Sequence, residues 1–380
     1  MSAVSGGKVN PRQSAVKDLK KTLAIQKESN GCALPPHPPL RYTNRRRFPP
    51  SDTLGGVMRI LSGIQPSGRP HLGNYFGALR QYISLQAGNE PFYFIAGYHA
   101  LTSVQDPALL REYTMGVALD FLALGLDPEQ SALFAQQDVP EVTELAWILS
   151  CVTPMGMLER AVGYKDKVAQ GFAPNHGLFA YPVLQAADIL IYLSDLVPVG
   201  QDQKQHLEMT RDIAGKFNQQ FGEVFVIPEP YILDSTAVVP GTDGRKMSKS
   251  YGNEIGIFDE GRDLKKRVMS IVTDSTPVED PKDPAESTPF LLLSLLASPE
   301  ETAEWEARYK AGGMGYGEVK KRLLDLIDEY FAPARQRRRE LEADPAYVMD
   351  VLRDGGTRAR AVAKQVMGKV REATGLPTTY

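Results

Sequence analysis

The chain has 380 residues, 42% hydrophobic and 23% charged, the make-up of an ordinary globular protein with room for two domains. No apolar run reaches membrane-spanning length, and Cys32 and Cys151 are too few and too far apart for a disulfide framework, so a membrane span and a disulfide-stapled scaffold are excluded. A net charge of −3 excludes general electrostatic attraction of nucleic acid, which leaves any such contact to local basic patches.

Residues 1–57 hold ten lysines and arginines against Asp18, Glu28 and Asp52, a local balance of +7, so the remainder carries −10. This stretch contains Pro35, Pro36, Pro38, Pro39, Pro49 and Pro50 but few core-forming residues, and it is expected to stay flexible. Two readings stay open for it: a dispensable tail with Met58 as the true start, or a basic arm that touches a polyanion or a protein partner. No apolar signal-peptide core follows the N-terminus, and a cytoplasmic, reducing location is expected.

Met58-Arg59-Ile60-Leu61-Ser62-Gly63-Ile64 then reads as a buried strand. It runs into Gln65-Pro66-Ser67-Gly68-Arg69-Pro70-His71-Leu72-Gly73-Asn74, after which Leu72, Phe76, Leu79 and Ile83 recur at helical spacing. A Gly- and Pro-rich turn feeding a helix N-terminus presents backbone N–H groups that favour anionic phosphates, and Gly73 lets a nucleotide approach the backbone. Residues 91–96 read as a strand, 106–124 as a helix with Asp106 and Pro107 as start signals, 132–135 as a strand and 197–199 as another. This alternation predicts an α/β fold, a doubly wound parallel sheet of the Rossmann-like nucleotide-binding type with ligands at the strand carboxyl ends. Beyond about Phe258 the strands vanish, and residues 264–272, 291–296, 301–310, 318–342 and 345–374 read as helices. The expected division is therefore an N-terminal extension over 1–57, a catalytic domain over 58–258 and a C-terminal helical domain over 259–380. Arg335, Arg337, Arg338 and Arg339 share one helix with acidic neighbours, which sets a solvated face against a nucleic-acid contact.

The loop carrying Gly241, Gly244 and Gly252 contains Lys246-Met247-Ser248-Lys249-Ser250. Two lysines and two hydroxyls in five residues suit a mobile lid that neutralises pyrophosphate. Alone, such a loop is unspecific; paired with the strand, turn and helix upstream it is specific. Here the chain resembles the class I aminoacyl-tRNA synthetases, whose two signatures are a His-x-Gly-His-type turn and a Lys-Met-Ser-Lys-Ser loop. His71-Leu72-Gly73-Asn74 puts Asn74 where the general pattern has a second histidine, the form associated with the tryptophanyl branch. Tyr181-Pro182-Val183-Leu184-Gln185-Ala186-Ala187-Asp188-Ile189-Leu190, followed by Val197-Pro198-Val199-Gly200-Gln201-Asp202-Gln203-Lys204-Gln205-His206, is similar to the bacterial tryptophanyl-tRNA synthetases in particular. The resemblance spans residues 59–376.

What the resemblance implies is a two-step reaction. The carboxylate of L-tryptophan attacks the α-phosphate of ATP to give tryptophanyl-adenylate and pyrophosphate, and a terminal ribose hydroxyl of tRNA(Trp) then takes the acyl group. Such chemistry rests on positioning and electrostatics rather than a protein nucleophile. Lys246 and Lys249 would follow charge onto the departing pyrophosphate, with Mg²⁺ bridging phosphate oxygens; the five histidines show no metal-ligand spacing. His71 and Asn74 would donate to the phosphates from the helix start, the alternative being a structural cap. Gln65, Ser67, Gly73, Gly200, Asp202 and Ser248 complete the expected ATP site, together with Lys167, which matches the family's additional ATP-contacting lysine.

For the amino acid, Asp188 matches the position that accepts the indole N–H, the alternative being an N-cap or an internal ion pair. Tyr181, Gln185 and Gln203 match positions that hold the α-ammonium group. His99 corresponds to a family histidine near the substrate, set against a satisfied core histidine. Two departures bear on substrate choice: Gly97 and Tyr98 stand where relatives place an acidic residue before the His-Ala pair, and Gly163 stands where many have Gln. Both remove polar groups, and an auxiliary form with a roomier pocket for ring-substituted tryptophans is the runner-up. A tyrosyl-tRNA synthetase is disfavoured by residues 181–206, and a catalytically silent binding module acting through residues 1–57 is disfavoured by the intact signatures. A homodimer follows by family analogy, with its interface expected around residues 147–160, and the basic arm would meet tRNA or a protein partner.

Overall fold

The computed structural model describes residues 57–161, 164, 171, 175–200, 203–232 and 239–376. Residues 1–56, Gly163, Lys167 and Asp202, all given roles above, lie outside the described residues. Five strands form one sheet: β1 (Arg59–Ile64), β2 (Glu90–Ile95), β3 (Ala132–Ala135), β4 (Leu196–Val199) and β5 (Glu229–Ile232), in the order β3-β2-β1-β4-β5. Every pairing is parallel, with Leu61 opposite Phe92 and Phe94 opposite Phe134. Strand order runs one way from β1 to β3 and the other way from β4 to β5. It therefore reverses between β1 and β4, where an open parallel sheet has a crevice at its carboxyl edge. The strands expected around residues 58–64, 91–96, 132–135 and 197–199 are present. β5 has no counterpart in the sequence reading; it is four residues long and contains Pro230, which an edge strand tolerates because one side of its backbone makes no pairing among the described residues.

Side chains alternate across the sheet. Phe92 and Phe94 enter one apolar cluster with Phe134, Ile189 and Val366, while Tyr93 and Ile95 enter the other with Leu72, Phe121, Ile257 and Phe331. Helices supply both covers. On one face lie α1 (residues 72–84) and α2 (Pro107–Ala123); on the other lie α3 (Glu141–Ser150), α4 (His176–Leu190) and α5 (Lys204–Phe221). α2 starts where the sequence predicts: Asp106 accepts the N–H groups of Ala108 and Leu109, and Pro107, with no N–H to satisfy, takes the first helical position. α1 carries a π-helical stretch at Tyr75–Leu79, and Tyr75 within it packs edge-on against Phe331 at 5.0 Å.

After β5 the α-helices among the described residues are α6 (Gly261–Met269), α7 (Thr288–Leu293), α8 (Pro299–Ala311), α9 (Tyr316–Ala343) and α10 (Pro345–Thr374), joined by loops. α9 sends Val319, Leu323, Ile327 and Phe331 into the same apolar cluster as α1 and α2. α10 crosses the edge strand β3 so closely that a Cβ added to Gly355 would lie 2.0 Å from the Leu133 carbonyl oxygen. Only glycine permits that crossing.

The arginines of α9 correct the sequence reading. Arg335 is 3% exposed and donates to the Ile257 carbonyl at 3.0 Å and to Asp328, while Arg338 is 7% exposed and donates to Asp120. Burial removes both from a solvated face and from a nucleic-acid surface alike. Arg337 and Arg339 stay exposed, the latter paired with Glu260.

Candidate active site

The crevice at the carboxyl edge is built by residues that follow four strands in turn: Gln65 after β1, His99 after β2, Gln136 after β3 and Gly200 after β4. α4 adds Tyr181, Gln185 and Asp188, whose spacing of four and three residues sets them along one helical face. Gln65, His99, Gly200, Tyr181, Gln185 and Asp188 line a cavity of about 390 Å³, which Gln136 meets through its bonds to Asp188. A second cavity of about 280 Å³ continues from it, lined by Ser67, Asn74, Asp120 and Lys249, and Gly63, Gln65 and Tyr82 border both. At that junction Gly63 has no substitute, since an added Cβ would come 2.4 Å from the Phe94 ring.

Asp188 is 2% exposed and sits in the last turn of α4, where the helix dipole is negative, so its charge is doubly disfavoured. His99 Nε2 lies 2.8 Å from Asp188 Oδ2, and Gln136 Nε2 donates to Oδ1 at 2.8 Å and to Oδ2 at 3.0 Å. Burial pushes the Asp188 carboxyl above the usual range, and the bonds from His99 and Gln136 pull it back. The Tyr98 N–H donates to Gln136 Oε1 at 2.8 Å, which fixes the amide so that its nitrogen faces Asp188. Asp188 is therefore not an N-cap; it is a buried carboxylate paired with His99, the internal pairing weighed in the sequence, and it accepts a further bond from the neutral Gln136 amide.

A second network stands beside it. Tyr181 Oη lies 2.7 Å from His206 Nε2, His206 Nδ1 lies 3.2 Å from Gln203 Oε1, and Gln185 Nε2 donates to the same oxygen at 3.5 Å. Because Gln203 Oε1 can only accept, the hydrogen-bond pattern assigns the proton to His206 Nδ1 and makes Nε2 the acceptor for the Tyr181 hydroxyl.

On the phosphate side, Gly68 turns the chain at φ 85°, in the region that favours glycine. His71 caps α1: its Nδ1 accepts from the Asn74 N–H and Asn74 Oδ1 accepts from the His71 N–H, both at 3.2 Å. The cap contact weighed in the sequence thus exists, and it prepares a donor pair. With Nδ1 accepting, the ring proton belongs on Nε2, and with Oδ1 taken, the Asn74 amide has its NH₂ to offer. Burial and the Lys249 charge lower the His71 pKa to about 4, so the ring is neutral at physiological pH.

The Lys246–Ser250 loop is docked on this turn. Met247 is 3% exposed and its sulfur accepts the Gly73 N–H at 3.4 Å, and the Met247 N–H reaches the Val239 carbonyl at 2.9 Å. Asn253, 2% exposed, is the hub, accepting from the Ser248 N–H and donating to the Lys246 carbonyl and to Asp243. Lys249 Nζ donates to the Ser67 carbonyl at 2.7 Å across the phosphate-side cavity, and desolvation lowers its pKa. The chain beyond is stitched to the turn as well, through Leu72 N–H to the Ile255 carbonyl at 3.0 Å.

Of the residues expected from sequence, His99, Tyr181, Gln185, Asp188, Gly200 and Gln203 line the larger cavity, Ser67, Asn74 and Lys249 line the smaller, and Gln65 lines both. His71 and Gly73 line neither cavity, Ser248 shares a hydrogen bond with the Ser250 hydroxyl at 2.8 Å, and Lys246 is exposed on the loop. Gly97 and Tyr98 line neither cavity, and the space a Gly97 Cβ would take is held by the Gln137 side chain, 2.5 Å away. Sequence reasoning missed Gln136, His206 and Asp120. The first follows a strand carboxyl end and the second lies three residues from Gln203, signals that could have found them. A larger cleft of about 870 Å³ runs between α2 and α10, but none of the expected residues lines it.

The chain matches the family described as tRNA synthetases class I (W and Y) over residues 54–332. It is 57% identical over 319 residues to a tryptophan–tRNA ligase of Rhodopirellula baltica, covering 84% of this chain and 100% of that one. A tryptophan–tRNA ligase of Fusobacterium nucleatum is 55% identical over 321 residues, with 84% and 98% covered. Among solved structures, tryptophanyl-tRNA synthetase from Campylobacter jejuni complexed with ADP and tryptophan superposes with a TM-score of 0.80 at 50% identity, covering 84% of this chain and 100% of that one.

Proposed function

The chain belongs to the class I tRNA synthetases of the tryptophan and tyrosine type, and from that membership we propose how its crevice works as a tryptophan–tRNA ligase. The enzyme activates L-tryptophan with ATP, releasing pyrophosphate, and passes the tryptophanyl group from the adenylate to a terminal ribose hydroxyl of tRNA(Trp). The observation that carries this reading is a buried carboxylate, Asp188, at an apolar-walled cavity that opens directly onto a turn spanned by Lys249.

Asp188 accepts the indole N–H, and a side chain lacking that donor leaves a buried carboxylate short of a partner. Tyr181, Gln185 and Gln203, ordered by His206, hold the α-ammonium group and so aim the carboxylate at the junction near Gly63. The ATP phosphates lie on the turn, where backbone N–H groups and the donors His71 and Asn74 meet them. Lys249 and Lys246 move with the charge that develops on the leaving pyrophosphate. Gln65, Ser67, Gly73, Gly200 and Ser248 shape the same site, and Asp202 and Lys167 are assigned to it by sequence alone. Mg²⁺ enters with ATP as part of that substrate, held by the phosphate oxygens, which the groups at the turn suit.

Support for a homodimer is the exposure of Trp147 and Met155, 72% and 62%, on the segment where an interface is expected. No described helix is long and apolar enough to cross a membrane, and the cytoplasm is where this activity is used. Residues 58–258 serve catalysis and 259–380 serve tRNA, with the basic extension as an added tRNA or protein contact. The test is amino-acid-dependent exchange of pyrophosphate into ATP. Exchange with tryptophan and not with tyrosine is expected; exchange with tyrosine at a comparable rate, or none with either, overturns the reading.

A further inference from the structure

A negative charge stands in the phosphate-side cavity, where a polyanion binds. Asp120, near the end of α2, is 5% exposed and lines that cavity with Gly68 and Lys249. Its partner comes from far along the chain: Arg338 of α9 donates from Nε to Asp120 Oδ1 at 2.8 Å, also meets Glu342, and lies 5.0 Å over the Phe258 ring. The groups that face Asp120 are Arg338 and Glu342 from α9, Arg69 from the phosphate turn, Lys249 from the docked loop, Tyr82 from α1, and Glu112 and Tyr113 on its own helix. Burial pushes the Asp120 carboxyl up to about 6, while Arg338, Arg69 and Lys249 all act to lower it. The Arg338 pair thus favours the ionised form against the effect of burial.

An ionised carboxylate left alone there would repel the triphosphate and attract the ammonium of Lys249, and low local dielectric strengthens both effects. Arg338 removes the problem by pairing with it. We propose that Arg338 is a positioning residue for the activation step: by neutralising Asp120 it leaves Lys249 on the phosphate turn and available to pyrophosphate, so that the seating of α9 sets the charge of the ATP site. The inference rests on the functional reading above. Its consequence is that Asp120 competes for Lys249 whenever Arg338 is lost.

The experiment is pyrophosphate exchange with saturating tryptophan and varied ATP, from pH 6 to 8.5, on the full chain and on Arg338→Gln, Arg338→Lys, Asp120→Asn and the double variant Asp120→Asn/Arg338→Gln, with thermal unfolding measured on each. At pH 8, Arg338→Gln is expected to lose about tenfold in kcat/KM for ATP, the order expected when a phosphate-facing cation is partly withdrawn. Losing Arg338 also pushes the Asp120 carboxyl further up, so the loss should be largest at the alkaline end of the range and shrink as pH falls and Asp120 takes up a proton. In the Asp120→Asn background the same arginine substitution should change the rate by less than about twofold, the signature of a pairwise effect. Arg338→Lys, which keeps the charge without the guanidinium fork, should recover most of the rate and covers the case in which Arg338→Gln does not fold. A loss that is independent of pH, equal in both aspartate and asparagine backgrounds, or as large in Arg338→Lys overturns the proposal and leaves the pair a structural strut. Failure of the unaltered chain to exchange with tryptophan overturns the functional reading first, and the inference with it.

Discussion

At the end of the crevice proposed for phosphate the groups are exposed lysines and a turn whose donors are fixed by backbone and capping contacts, whereas at the end proposed for the amino acid they are buried side chains already bonded to one another. Lys246 and Lys249 sit on a loop held by Asn253 and Met247, with Lys249 making a single reversible bond to the Ser67 carbonyl. Asp188 is instead locked between His99 and Gln136 with almost no exposure. The difference follows from the tasks. Charge that migrates during phosphoryl transfer is best met by cations able to follow it, while discrimination between similar side chains needs a rigid acceptor whose loss of a partner is costly. The two ends also answer pH in opposite directions, since burial lowers the His71 pKa and raises that of Asp188.

The largest expected effect tests the mobile end. Lys249→Ala should lower tryptophan-dependent exchange by on the order of 10²–10³, by analogy with the loss of an oxyanion donor. Because the lysine works on the leaving group, kcat should fall more than tryptophan affinity, and a near-unchanged kcat would break the comparison. Gln136→Leu tests the rigid end. It leaves Asp188 with His99 alone, and kcat/KM for tryptophan should drop by roughly tenfold or more while KM for ATP holds, given what hydrogen bonds to charged groups contribute. If KM for ATP moved as much, the two ends would not be separate machines.

The smallest effect is on stability. His71 has a native pKa of about 4 against an ordinary 6.5, so between those values the unfolded chain binds a proton that the native ring refuses. Its contribution to stability is complete above pH 6.5 and is lost as pH falls from there toward 4. His71→Asn, which keeps a capping side chain, should flatten that part of the acid slope in denaturant titrations; an unaltered slope would mean that the ring is not kept neutral by its burial.

The two ends were not equally legible in the sequence. The phosphate end lies in contiguous motifs, a strand, turn and helix start over residues 59–74 and a five-residue loop at 246–250, so local pattern marked the turn and the lysine loop, while the roles of Ser67, His71 and Asn74 came from the resemblance. The amino-acid end was assigned only through resemblance, because Asp188 and His99 come from separate segments, and Gln136 was missed because its place after a strand carboxyl end was its one local mark. Buried Arg338 was invisible for the same reason: its partner Asp120 lies 218 residues away, and a helix surface rich in charge looks alike whether it faces water or another helix. The strand alternation showed the fold class, but β5, short and interrupted by Pro230, carried too little pattern to be seen. What local periodicity encodes was readable; what depends on which segments meet was not.

The central claim is that the crevice reads an indole N–H through Asp188, and the most direct test compares tryptophan with its benzothiophene isostere, in which sulfur replaces that N–H, in the exchange assay. A site built around a buried acceptor should prefer tryptophan by on the order of 10⁴ in kcat/KM, and Asp188→Ala, which removes the acceptor, should collapse that ratio. A preference within tenfold in the unaltered chain would contradict the account, because it would mean that shape alone selects the substrate and that Asp188 is only a buried structural charge.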